Sequence, residues 1–240
     1  MNKIDVIILA GGLGTRLRSV VSELPKCMAP VCGKPFLSYL LDYLKQYEIN
    51  KVILSVGYLR DSIIQFIDNQ KESYDFSFDF AVEETPLGTG GGIKLALTKA
   101  TTENVVILNG DTFFDVDVNA LIMNHLNSKK DITIALKPMS DFERYGNVRL
   151  DENGQIVEFQ EKQFCKKGQI NGGVYVLKRE NRMMDGLPER FSFETEVLQR
   201  QSKALNVNGF MCDGYFIDIG IPEDYERANK EFDKLRFEDR

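Results

Sequence analysis

Short apolar runs alternate with segments of helical spacing from the start of the chain to Leu136, and this alternation leaves few folds open. Val6–Leu9, Lys51–Val56, Phe76–Val82, Val105–Leu108 and Ile132–Leu136 read as strands. Between them, Phe36–Tyr47 carries apolar residues at 36, 37, 40, 41 and 44, the spacing of a helix with one buried face. Further helices are expected over Asp61–Ile67, Gly90–Leu97 and Val118–Leu126. Strand–helix units of this size build a parallel sheet covered on both faces. The expected class is therefore α/β: a doubly wound, mostly parallel sheet.

From about Asp141 the texture changes. Asn147–Leu150 and Ile156–Glu161 flank Asp151-Glu152-Asn153-Gly154, a hairpin signal. Strands are expected at Ile170–Leu177, Ala204–Val207 and Tyr215–Ile217, with a short helix near Phe193–Gln201 and a last helix over Pro222–Leu235 that starts on its proline. No linker, low-complexity stretch or internal repeat separates this part from the rest. It reads as a small antiparallel β lobe fused to the main sheet, so that residues 1–240 form one domain with halves at 1–140 and 141–240.

The composition, 43% hydrophobic and 28% charged, suits a globular chain with a core. A net charge of -6 without a basic block argues against nucleic acid as a partner. No apolar run approaches the ~20 residues of a membrane span, and the N-terminus lacks a signal-peptide pattern, so no membrane partner is expected and the expected location is the cytoplasm. Cys27, Cys32, Cys165 and Cys212 have no C-x-x-C spacing and read as free thiols of a reducing compartment. The single histidine, His125, has polar Asn124 and Asn127 around it and is expected to face solvent. Chemistry in this chain must then proceed without an imidazole base.

Functional residues gather where strands end. Val6–Leu9 stops at Ala10-Gly11-Gly12, with Gly14, Thr15 and Arg16 following. Glycines this dense let the backbone come close to a ligand and turn its N–H groups to one point, which suits a phosphate. Arg16 and Lys26 add positive charge. Neither common phosphate motif fits: Gly12-Leu13-Gly14-Thr15-Arg16-Leu17 ends in leucine where a dinucleotide fingerprint needs glycine, and Gly33-Lys34 runs into Pro35 where a P-loop needs a hydroxyl residue. Asp111 and Asp218 each follow a short apolar run, and each is open to two readings, a turn residue or a metal carboxylate. Glu83–Gly92 and Gly110-Asp111 fall at the same sheet edge as the first loop, where ligands of doubly wound sheets bind.

Gly11-Gly12, Gly14-Thr15-Arg16-Leu17, Pro25-Lys26 and Pro30 resemble the signature of the sugar-1-phosphate nucleotidyltransferases, or nucleoside-diphosphate-sugar pyrophosphorylases. Cys27 occupies a position that the motif leaves open, and the similarity extends through most of the chain. The resemblance implies the Rossmann-like nucleotidyltransferase fold, with nucleotide on the 1–140 half and sugar phosphate on the 141–240 half. It implies that Leu9, Ala10, Gly11, Gly12, Gly14, Thr15, Gly88, Thr89 and Gly110 hold the nucleotide. It also implies that Arg16, Lys26 and Lys162 handle phosphate and that Asp111 and Asp218 hold Mg2+. Glu161, Lys162, Asn171, Tyr175, Gly146 and Glu194 match its sugar-phosphate residues, with Glu196 as a competitor of Glu194. The Pro86–Gly92 segment is similar to the PLGTAG-type loop of guanylyl-transferring members, with Gly90 in place of alanine.

Guanine presents two neighbouring N–H donors, which an acceptor-only carboxylate matches, and strand alternation lets one of Glu83 and Glu84 face it. Glu83 falls at the family's base-reading position. The expected substrates are GTP and a sugar 1-phosphate, whose anionic oxygen needs no general base to attack an α-phosphorus. The compact length and the Pro86–Gly92 segment most resemble bacterial D-glycero-D-manno-heptose-1-phosphate guanylyltransferases of surface polysaccharide synthesis. Mannose-1-phosphate guanylyltransferase, a compact uridylyltransferase and a non-catalytic nucleotide-sugar-binding regulator are the alternatives. The sequence leaves the oligomeric state open, a homodimer included.

Overall fold

The structure is a computed structural model that describes residues 3–12, 17, 24–152, 155–200 and 207–234. In chain order its elements are β1 (Ile4–Leu9), the short pair β2 (Pro30–Val31) and β3 (Lys34–Pro35), α1 (Phe36–Leu44), β4 (Ile49–Val56), α2 (Arg60–Gln70), β5 (Ser77–Val82) and α3 (Gly88–Leu97). Next come β6 (Asn104–Asn109), β7 (Thr112–Phe114), α4 (Val118–Ser128), β8 (Ile132–Phe142), β9 (Gly146–Leu150), β10 (Ile156–Lys162) and β11 (Cys165–Lys178). A π-helix (Phe193–Gln199), β12 (Val207–Met211), β13 (Phe216–Asp218) and α5 (Pro222–Glu231) complete the chain. The strand expected at Ala204–Val207 lies outside the described residues except for Val207, which opens β12.

The main sheet runs β10-β9-β11-β6-β1-β4-β5, with β8 against β11 and β12 against β8. Its β6-β1-β4-β5 part is parallel. The 14-residue β11 joins this part to the antiparallel one: its Val174–Lys178 end pairs with β6, and most of its length pairs with β8. The lobe is thus a continuation of the same sheet.

Strand alternation divides the core. Val6, Ile8, Val52, Leu54, Val106 and Leu108 pack with α1, α4 and α5 on one face. Ile7, Ile53, Val105 and Ile107 pack with Ile93 and Ala96 of α3 and Phe193 and Val197 of the π-helix on the other. Apolar residues at both parities are what a strand buried on both faces requires. Among the described residues no helix is long and apolar enough to cross a membrane.

His125 corrects the sequence reading. It is 1% exposed, with Nδ1 2.9 Å from Thr133 Oγ1 and Nε2 3.2 Å from Asn104 Oδ1. Asn124 instead takes a hydrogen bond from Asn208, and Leu126 on the same helix is exposed. The polar neighbours were a poor guide because a helix turns about 100° per residue, so residues on either side of His125 face elsewhere.

Candidate active site

The ends of β1, β4, β5 and β6 meet at one edge. Ala10 N donates to Ser55 O at 2.8 Å, Gly110 N to Leu9 O at 3.0 Å and Glu83 N to Val56 O at 2.8 Å. A Cβ on Gly110 would lie 2.5 Å from Leu9 O, so this seam closes only around glycine. Above it lies a cavity of about 400 Å³ lined by Leu9, Ala10, Gly11, Gly12, Lys26, Cys27, Ser55, Glu83, Pro86, Gly88, Thr89, Asn109, Gly110, Asp111 and Arg190. Every nucleotide residue expected from the sequence lines it, apart from Gly14 and Thr15. Those two, like Arg16, lie outside the described residues.

Glu83 and Glu84 part as alternation requires. Glu83 turns into the cavity, where its Oε1 accepts from Ser55 Oγ (2.9 Å) and its Oε2 from Leu87 N (3.0 Å). Glu84 turns outward to Arg60 at 3.2 Å and is 79% exposed. With two of about four acceptor sites used, the Glu83 carboxylate is fixed in place and still has capacity for a ligand.

The glycine run at the start of α3 is explained by what packs on it. Phe191 N donates to Leu87 O and Gly90 N to Phe191 O, both at 3.0 Å. A Cβ on Gly90 would stand 2.1 Å from the buried Phe191 ring, and one on Gly91 2.4 Å from Glu189 O. The same 189–191 segment brings Arg190 to the first cavity.

A second cavity, about 420 Å³, adjoins the first. Gly146, Glu161, Lys162, Asn171, Tyr175, Glu194, Asp111 and Asp218 all line it, which assembles the expected sugar-phosphate residues from β9, β10, β11, β13 and the π-helix. Glu194, not Glu196, faces this space; Glu196 pairs with Arg200 at 2.6 Å. Tyr175 is almost wholly buried, its OH accepting from Asn171 Nδ2 at 2.8 Å, and burial pushes its hydroxyl far above the usual range.

Asp111 and Asn109 line both cavities and mark where they meet. Lys26 Nζ lies 2.7 Å from Asp111 Oδ2. Asp218 comes beside them through the β13–β7 pairing, in which Asp218 opposes Thr112 and Ile219 N donates to Asp111 O at 3.0 Å. Asn109 Oδ1 is buried without a hydrogen-bond partner. Cys27 is buried beside this seam, and desolvation with the nearby Asp111 charge pushes its thiol up to about 12. It is protonated and inert at neutral pH.

Sequence reasoning missed Asn109 and Arg190 in the first cavity and Tyr145, Phe216 and Gln199 in the second. Asn109 was legible, standing one residue before Gly110-Asp111 at a strand end. Tyr145 and Phe216 also neighbour residues singled out from the sequence, and their rings meet edge to face at 5.8 Å. Arg190 and Gln199 carry no local signal.

Residues 5–234 match the nucleotidyl transferase family model. The chain belongs to that family. It is 48% identical over 227 residues to D-glycero-alpha-D-manno-heptose 1-phosphate guanylyltransferase of Aneurinibacillus thermoaerophilus, covering 95% of this chain and 97% of that protein. Among solved structures it is similar to HddC from Yersinia pseudotuberculosis, with a TM-score of 0.85 and 38% identity over 95% of this chain and 99% of that one. The complex of HddC with GMP-PN superposes with a TM-score of 0.84 at 37% identity and the same coverage. The chain is a nucleotidyltransferase with the Rossmann-like sheet of its relatives.

Proposed function

We propose that this protein is a guanylyltransferase that joins GTP and D-glycero-α-D-manno-heptose 1-phosphate into GDP-heptose and pyrophosphate in the cytoplasm, for surface polysaccharide synthesis. The observation that carries this reading is the pair of abutting cavities that share Asp111, one lined by the glycine loops and Glu83 and the other by Lys162 and Glu194. Its support from relatives is 48% identity to a heptose 1-phosphate guanylyltransferase along nearly the whole of both chains.

In this reading the guanine N–H edge meets the Glu83 carboxylate, and the sugar lies against Glu194, Asn171 and Gly146. The phosphate oxygen of the sugar phosphate attacks the α-phosphorus of GTP, and pyrophosphate leaves on the opposite side. That oxygen is already anionic, so the work of the protein is alignment and charge neutralisation. Lys26 and Lys162 supply charge from the two sides of the seam and Arg190 from the first cavity, and Arg16 is the further phosphate-handling cation expected from the sequence.

Asp111 and Asp218 would hold Mg2+. The fit is chemical: both are oxygen donors, and both stand where phosphates would meet. Such an ion would take water and phosphate oxygens as its other ligands. When bound, the ion offsets the negative charge of the phosphates.

Pyrophosphate release tests the proposal directly, with GTP, ATP, UTP, CTP and dTTP crossed against heptose-1-phosphate, mannose-1-phosphate and glucose-1-phosphate. Release chiefly from GTP with heptose-1-phosphate is expected. Release with mannose-1-phosphate instead would keep the reaction and replace the sugar. No release from any pair would remove the reading.

A further inference from the structure

The two cavities are joined by a side-chain contact that spans 105 residues of sequence. Thr89, at the start of α3 in the first cavity, donates its Oγ1 hydrogen to Glu194 Oε2 at 2.6 Å, and Glu194 lines the second cavity. Ser192 Oγ donates to the same oxygen at 2.9 Å. The Thr89 hydroxyl in turn accepts from Phe193 N at 2.9 Å, so its one hydrogen and one of its two acceptor sites are engaged within the protein. What Thr89 offers a nucleotide is therefore its methyl group, its backbone and one acceptor lone pair, but not its hydroxyl hydrogen.

We infer that Thr89 is a positioning residue: its hydroxyl fixes the Glu194 carboxylate for the sugar and makes the order of the sugar site depend on the nucleotide loop. Two hydroxyl donors on Oε2 set the rotation of the carboxylate, and Oε1 has no donor among the described residues. One oxygen is thus spent on the scaffold and the other is presented to a ligand. The backbone beneath moves with it, since Leu87–Gly90 and Phe191 exchange two hydrogen bonds and Ser192 accepts from Thr195 N at 3.2 Å at the start of the π-helix. That helix carries Glu194, Leu198 and Gln199 together into the cavity. Winding with i→i+5 bonds brings the residue five positions on to the side that the i+4 residue already shares, whereas an α-helix would turn it away. A rigid link therefore runs from the glycine run under the nucleotide to three side chains around the sugar.

This inference rests on reading the second cavity as the sugar-phosphate site, and the experiment separates the two. Steady-state kinetics are measured with GTP and heptose-1-phosphate for the wild type, Thr89→Val, Thr89→Ser, Ser192→Ala, Glu194→Gln and the Thr89→Val/Glu194→Gln double variant. Thr89→Val deletes the donor at nearly constant shape and is expected to raise KM for the sugar phosphate about tenfold, well above any rise in KM for GTP, the loss of one charge-assisted hydrogen bond acting through Glu194. Thr89→Ser restores it. Ser192→Ala, which removes the other donor, raises the same KM by a smaller factor. The double variant is no worse than Glu194→Gln alone, because both changes break one unit. A Thr89→Val enzyme whose sugar KM is unchanged, or whose GTP KM rises as much, would overturn the inference, as would failure of serine to rescue or additive effects in the double variant. If Thr89→Val does not fold, an unchanged sugar KM in Ser192→Ala overturns it instead. An unchanged sugar KM in Glu194→Gln would show that the sugar site itself is misplaced, independently of Thr89.

Discussion

Single side chains at the seam carry the sharpest expectations. Asp111 meets Lys26 at 2.7 Å and borders both cavities, so Asp111→Asn removes a charge from the point where both substrates and the metal are proposed to converge. Losing an outer partner of a metal ligand already costs 10- to 100-fold, so losing a proposed ligand is expected to lower kcat by at least ~100-fold. The thermal midpoint should hold, because Asp111 stands at an open edge; turnover near the wild-type value would remove the metal assignment. Glu83 is a different case, since its carboxylate also holds Ser55 and Leu87. Glu83→Gln replaces one acceptor by a donor at the proposed contact with the guanine N–H edge, and the ratio of kcat/KM for GTP over UTP is expected to fall by about tenfold or more. Glu84→Gln, on the exposed face with Arg60, should leave that ratio unchanged. The reverse result would assign base reading to the wrong side chain.

At the scale of elements, what the sequence revealed depends on how local the cause is. The strands that end at Leu9 and Asn109 were legible because burial on both faces demands unbroken apolar runs, and the cavity-lining loops follow where those runs stop. The π-helix was read only as a short helix, because its winding depends on packing against Tyr175 and α3 rather than on residue type; Tyr175 and Phe193 meet edge to face at 5.5 Å. The glycine run in α3 shows the same limit. Its glycines were visible, but their reason is a segment about 100 residues away, whose Phe191 ring would lie 2.1 Å from a Cβ at Gly90. Gly90→Ala should therefore displace a buried ring, at about 1–3 kcal/mol, lowering the melting temperature by roughly 2–10 °C and raising KM for GTP. Adding Phe191→Leu should recover much of both losses. A Gly90→Ala enzyme with unaltered melting temperature and KM would mean that the ring is not what excludes the alanine found in similar loops.

For the whole molecule, distance from the site separates stability from catalysis. Asp5 lies at the opposite end of β1 from the glycine loop and is fully buried. Burial alone would push its carboxyl up, but donors from Thr101, Asn50 and Thr102 outweigh it and hold the group below 3.8, so its contribution is lost only as pH falls through that depressed value. His125 governs the range above. Desolvation, reinforced by Lys178, lowers its imidazole from 6.5 to about 4, so the native state stays neutral while the unfolded chain takes up a proton. The unfolded state binds more protons between these two values, and unfolding free energy must therefore fall with acidification, by up to about 1.4 kcal/mol per pH unit. Since His125 is the single histidine, no other side chain has its ordinary value near 6.5. Urea unfolding of the wild type from pH 7.5 to 5 should show this slope, and His125→Gln, though less stable at pH 7.5, should show almost none. Equal slopes in the two proteins would mean that the imidazole is charged in the folded state, donating from both ring nitrogens to Thr133 Oγ1 and Asn104 Oδ1.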